Sequence, residues 1–224
     1  MTNLLYRLCV VSARPVMSLL SRWEVHGRVN VPATGGFILA VNHCSYVDPV
    51  LLIVGVPRYL RFMVKSELYR LSPARWFLRA FGTFSVRRGF ADRVALAEAQ
   101  RLLAEGHVVV LFPEGTRSRM GRLLRGLPGT MALAVRSGVP VLPVAIMGTE
   151  TVRGWLGTLK RPRMVLRIGE PYRPERPEGR LTSAALQALA DDLMLRIAAM
   201  LPEERHGAYA KGWNHDRAER AGSR

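Results

Sequence analysis

Short apolar runs rich in branched and aromatic residues recur along this chain, and segments of helical character separate them. Residues 37–41, 59–64, 83–86, 107–112, 139–147 and 164–168 have the length and composition of strands. Between them, 92–105 reads as a helix with Gly106 past its end, and 131–137 as another closed by Gly138. Residues 182–201 make a last amphipathic helix, capped by Thr182 or Ser183 and stopped near Pro202. Parallel neighbours need a long crossover, usually a helix, so this rhythm points to one architecture. The expected fold is α/β: a single domain with a mostly parallel central sheet flanked by helices, preceded by an N-terminal amphipathic helical segment.

A chain of 224 residues with 49% hydrophobic residues can bury a substantial core and forms one domain most simply. Three parts are expected: an amphipathic membrane-interface segment at 1–22, the domain itself at 23–202, and a charged, loosely held tail at 203–224. Arg7, Arg14 and Ser18 fall within an arc of roughly 40° on a helical wheel at about 100° per residue, while Leu4, Leu5, Leu8, Val16, Leu19 and Leu20 supply apolar surface. That pattern suits an interfacial helix bent near Pro15, and equally a helix packed on the core. The longest uncharged run, 29–47, is broken by Pro32, Gly35, Gly36, Asn42 and His43, so no transmembrane helix is expected. Cys9 and Cys44 supply neither a disulfide framework nor a zinc ligand set, which predicts a reduced, metal-free protein. The formal charge of +16, from 33 Lys plus Arg against 17 Asp plus Glu, calls for an anionic partner. Nucleic acid, a phosphorylated substrate and an acidic lipid surface all satisfy it, but no zinc-finger or RNA-binding signature accompanies the charge.

Chemistry concentrates at Asn42-His43-Cys44-Ser45-Tyr46-Val47-Asp48, just past the strand 37–41 and the Gly35-Gly36 turn. A histidine with the ordinary reference pKa of about 6.5 is largely neutral near pH 7 and can accept a proton from a hydroxyl attacking a carbonyl. A carboxylate five residues away can orient it. Residues five apart on a helix lie roughly 140° around the axis, so an irregular segment must separate His43 from Asp48. Pro49 biases Asp48 away from helical backbone and opens the helix that follows. Asp48 alone also fits a helix cap. Cys44 admits a second reading as a thiol nucleophile, although sequence neighbours on a turn usually point apart.

Three more blocks follow in order: Gly82-Thr83-Phe84-Ser85-Val86-Arg87, Phe112-Pro113-Glu114-Gly115-Thr116-Arg117-Ser118, and Val139-Pro140-Val141-Leu142-Pro143. In the second of these, Pro113 ends a strand, Gly115 permits close backbone approach, and Arg117 offers a forked donor suited to phosphate oxygens. Glu114 fits two tasks, accepting from substrate hydroxyls or holding a neighbouring arginine. Arg87 and Arg117 also read as solvated surface arginines.

Together these blocks resemble the glycerolipid acyltransferases, the family of 1-acyl-glycerol-3-phosphate acyltransferase. The likeness runs from near Gly35 to near Gly148, with weaker similarity in Lys65-Ser66-Glu67-Leu68 and in the carboxy-terminal helix. It implies that His43 is the catalytic base and Asp48 its partner. It further implies a substrate-binding set of Lys65, Arg87, Glu114, Gly115, Thr116 and Arg117, with the arginines on phosphate and Glu114 and Gly115 in the acceptor site. The block with Pro140 and Pro143 would shape the acyl-donor side, or simply support the sheet as a strand with an edge proline. Relatives often carry a lysine before the glycine matching Gly129; this chain has Leu127-Pro128, so a basic contact there is missing or is taken over by Arg125.

The reaction so implied moves a fatty acyl group from an acyl thioester to the free hydroxyl of 1-acyl-glycerol 3-phosphate, without an acyl-enzyme and without a cofactor. Acyl-CoA or acyl carrier protein would be the donor, a lysophospholipid the acceptor, and an anionic membrane the docking surface. The sequence does not show what stabilises the tetrahedral oxyanion; backbone amides near the His43 turn are one candidate. The expected location is cytoplasmic, peripheral or monotopic on the cytoplasmic face of the membrane, with no nucleic acid involved. A related enzyme using another lysolipid or glycerol 3-phosphate, and a basic nucleic-acid-binding protein without catalysis, are the alternatives.

Overall fold

The structure is a computed structural model that describes residues 4–65, 83–86, 93–152, 160–176 and 179–210. Its elements run α1 (Leu4–Leu20), β1 (Arg22–His26), β2 (Phe37–Val41), α2 (Asp48–Gly55), β3 (Leu60–Lys65), β4 (Phe84–Val86), α3 (Arg93–Ala104), β5 (Val108–Leu111), α4 (Gly129–Ser137), β6 (Val141–Met147), β7 (Arg163–Ile168) and α5 (Ser183–Ala198). Among the described residues the strands form one sheet in the order β1-β7-β6-β2-β5-β3-β4. Every pairing is parallel except β6 with β7. This is the α/β architecture that the strand-helix alternation predicts.

β2 sits between β5 and β6, and all five of its residues are buried. A strand covered on both faces reads as a continuous apolar run, as Phe37-Ile38-Leu39-Ala40-Val41 does. Its side chains divide by alternation. Phe37, Leu39 and Val41 join one core with α1 and α2, while Ile38 and Ala40 join a second with α3, α4 and α5. Each large side chain so buried contributes about 1.5–3 kcal/mol relative to exposure. α5 starts as expected, with Thr182 Oγ1 accepting from the Ala185 N–H at 3.1 Å.

Four details refine the sequence reading. β1 escapes an apolar-run criterion because Arg22, Glu24 and His26 alternate with Trp23 and Val25, the pattern of an edge strand with one paired side. β6 is interior, so Pro143 is no edge proline; its carbonyl accepts from Gly169 N–H at 2.9 Å, one residue before the antiparallel register begins at Val144. α1 continues unbroken through Pro15 and presents two apolar faces. Tyr6 and Met17 are buried against the domain, while Leu4, Leu8, Val11 and Leu19 stand exposed. Finally, residues 203–210 are no loose tail: they form two short 3-10 turns, and Tyr209 is only 3% exposed.

Candidate active site

The site lies where the parallel strands end. Loops leaving the C-terminal ends of β2, β5 and β6 converge because these three strands are neighbours, and such ends are where α/β sheets hold ligands. After β2 the chain turns irregularly through 42–47 before α2 begins at Asp48, with Pro49 in its first turn. Asn42 anchors this turn to β6: its Oδ1 accepts from Ile146 N–H at 2.7 Å and its Nδ2 donates to the Ile146 carbonyl at 2.9 Å.

Asp48 is 0% exposed and closes the turn. Its Oδ2 accepts from His43 Nδ1 at 2.7 Å, from Cys44 N–H at 2.7 Å and from Ser45 N–H at 2.9 Å. An ionised carboxylate only accepts, so Nδ1 carries the proton and Nε2 is left as the ring's acceptor. The imidazole is 18% exposed and stacks on Phe112, with ring centroids 3.9 Å apart and planes 18° from parallel. His43 thus has its tautomer set from one side and its plane from another.

Glu114 is 4% exposed, and its described hydrogen-bond partners are backbone amides. Its Oε1 accepts from His43 N–H at 2.9 Å and its Oε2 from Leu124 N–H at 3.0 Å, so it links the β2 turn to the loop after β5. Burial pushes its carboxyl up to about 7, against the opposing pull of those two amides. The Ser118 N–H donates to the His43 carbonyl at 2.7 Å, completing a two-sided backbone tie. Gly115 takes a left-handed φ of 66°, and a Cβ there would meet Leu127 Cδ1 at 2.7 Å. Thr116 beside it is exposed, and Arg125 is half-buried.

Arg117 reaches back over the β2 turn. Its guanidinium carbon lies 3.5 Å from the Tyr46 ring centroid, and its Nη2 donates to the Tyr46 hydroxyl at 2.8 Å. The structure therefore brings His43, Asp48, Glu114, Gly115 and Arg117 together. Arg87 and the side chain of Lys65 lie outside the described residues. Phe112 and Tyr46 escaped the sequence reading as partners, although both stand inside the blocks that drew attention.

Two expectations change here. Cys44 is 6% exposed, and burial, with the nearby Asp48 and Glu114 carboxylates, pushes its thiol well above the usual range. Such a thiol is a poor nucleophile. The amides of His43, Cys44 and Ser45 are all engaged by carboxylates, so they are not available as oxyanion donors in this arrangement.

A family model described as Acyltransferase matches residues 22–147. A 1-acyl-sn-glycerol-3-phosphate acyltransferase of Bacillus subtilis (strain 168) is 30% identical over 168 residues, a stretch covering 75% of this chain and 82% of that protein. A protein of the same description from Borreliella burgdorferi is 29% identical over 128 residues, covering 56% of this chain and 51% of its own length. The crystal structure of the 1-acyl-sn-glycerophosphate (LPA) acyltransferase from Thermotoga maritima is similar with a TM-score of 0.66 at 26% identity, over 87% of this chain and 79% of that one.

Proposed function

Because the chain belongs to the acyltransferase family, we propose that it transfers a fatty acyl group from an acyl thioester to the free hydroxyl of 1-acyl-glycerol 3-phosphate, giving phosphatidic acid. The observation that carries this reading is the His43 Nδ1 to Asp48 Oδ2 contact of 2.7 Å on a turn tied to the arginine-bearing loop after β5. His43 Nε2 takes the hydroxyl proton as that oxygen attacks the thioester carbonyl. The tetrahedral adduct then collapses, the carbon-sulfur bond breaks, and the leaving thiolate takes the proton back from the imidazolium. The buried, poorly ionised Cys44 supports direct transfer without an acyl-enzyme. Arg117 binds the acceptor phosphate and so holds the hydroxyl in attack geometry; Arg87 and Lys65 are proposed to share that task, and Thr116 to line the acceptor site.

Thiol release from acyl-CoA and from acyl carrier protein, measured across lysophosphatidate, other lysolipids and glycerol 3-phosphate, tests the assignment. Lysophosphatidate is expected to give the highest kcat/KM. A preference for another acceptor would replace the substrate, and salt-sensitive nucleic-acid binding with no thioester consumed would replace the function. In the same assay Arg117→Ala should raise the acceptor KM about 10–100-fold with the donor KM unchanged, the scale of one lost hydrogen bond to a charged group. An unaltered acceptor dependence would mark Arg117 as a solvated surface group.

Among the described residues, no helix is long and apolar enough to cross a membrane. We place the protein peripherally or monotopically on the cytoplasmic face, held by 1–22. The exposed Leu4, Leu8, Val11 and Leu19 of α1, flanked by Arg7 and Arg14, support this placement. Leu8→Asp combined with Val11→Asp should sharply reduce flotation with anionic vesicles; undiminished flotation would remove α1 from membrane binding.

A further inference from the structure

The loop after β5 carries Glu114 and Arg117 and then runs on to α4 at Gly129. Its near end is tied to the β2 turn, and at its far end Leu127 N–H donates to the Pro113 carbonyl at 2.8 Å. The carboxy-terminal segment holds the stretch between them. Leu123 N–H donates to the Arg205 carbonyl at 2.9 Å, and the Leu123 carbonyl accepts from Ala208 N–H at 3.0 Å, a reciprocal backbone pairing between the two segments. Gly207 lets them meet, with a φ of 53° and a would-be Cβ only 2.2 Å from the Leu123 carbonyl oxygen.

Side chains reinforce the pairing. The Tyr209 hydroxyl accepts from Gly126 N–H at 2.9 Å and donates to Asp191 Oδ1 at 2.7 Å. Gln187 Nε2 donates to the Gly126 carbonyl at 2.9 Å and to Asp191 Oδ1 at 3.1 Å, so α5 completes the hold. Arg205 pairs with Glu150, which follows β6, at 2.6 Å. Leu124, whose amide donates to Glu114, sits between the Leu123 and Gly126 anchor points. Only one residue therefore separates the carboxy-terminal hold from the carboxylate that carries the His43 backbone.

We infer that Tyr209 and Arg205 are positioning residues for acyl transfer, acting through loop 113–128 to hold Glu114, and through Glu114 the His43 turn and the acceptor-binding Arg117. The kinetic side of this inference rests on the function proposed above. Neither residue touches substrate in this account. Their effect is to restrict the loop to one placement, so that the base and the phosphate ligand stay in register.

The test compares full-length wild type with Tyr209→Phe and Arg205→Gln. The first keeps the ring in its pocket and removes only the hydroxyl; the second breaks the ion pair while the backbone pairing of residue 205 can persist. Hydrogen exchange is read by peptide, alongside kcat and KM for donor and acceptor. In both variants exchange should quicken about tenfold in peptides covering 42–48 and 113–128, the scale of one lost side-chain tie. Acceptor kcat/KM should fall by a similar factor, with the donor KM within about twofold of wild type. Faster exchange confined to 187–210, or donor and acceptor constants falling together in step with the unfolded fraction, would overturn the inference and leave these residues merely structural. Exchange needs no substrate. A wild-type chain that transfers nothing to any acceptor would therefore sink the proposed function, while the exchange result alone decided the positioning role.

Discussion

Replacing His43 with alanine should lower kcat by about 10²–10⁴-fold, the usual contribution of a positioned general base, while the protein remains folded. The fold should survive because His43 gives little to either core. Its side chain stands at the rim, and Asp48 Oδ2 keeps two backbone donors, Cys44 N–H and Ser45 N–H, once the imidazole is gone. The backbone of residue 43 also keeps its bonds to Glu114 and Ser118. Circular dichroism and saturating-substrate kinetics on one preparation provide the measurement. A native spectrum with wild-type turnover would remove His43 from the mechanism.

Asp48→Asn should cost nearly as much, about 10²–10⁴-fold in kcat, with a small change in melting temperature. The geometry makes this substitution unusually selective. Asp48 Oδ2 accepts all the hydrogen bonds assigned to the side chain, while Oδ1 is buried with no partner among the described residues. An asparagine can keep its carbonyl oxygen in the Oδ2 position and turn its amide nitrogen toward Oδ1, preserving the turn. What it removes is the negative charge that, in the proposed mechanism, stabilises the imidazolium formed as the hydroxyl proton is taken. Asp48→Ala, by contrast, leaves two buried amides unpaired, at about 1–3 kcal/mol each, and should weaken fold and activity together. Equal losses of stability from the two variants would mean that the charge, rather than the acceptor geometry, holds the turn.

The strand-helix rhythm made the sheet legible, because apolar runs and glycine stops are local signals. β1 stayed hidden for the opposite reason, its alternating charged residues belonging to an edge with few apolar positions to read. At the site, His43 and Asp48 could be paired from spacing, although Asp48 opens α2 rather than being kept out of helical backbone by Pro49. Glu114 stood out by its place in the block, but its hold on the backbone was not read. Its partners are backbone amides from residues 71 and 10 positions away, and such pairing is decided by how two loops meet rather than by residue type. Tyr209 lay further from view, since its hydroxyl meets the amide of a residue 83 positions earlier. Residue identity announced the chemistry, whereas the ties that hold it became visible only with the chain folded.

Both backbone polar groups of His43 are taken up by the loop that carries Arg117, one through Glu114 and one through Ser118. A thermal excursion that lifts either loop must drag the other along. Under the proposed function, that coupling would keep the proton acceptor and the anion ligand in register while a lipid enters and leaves.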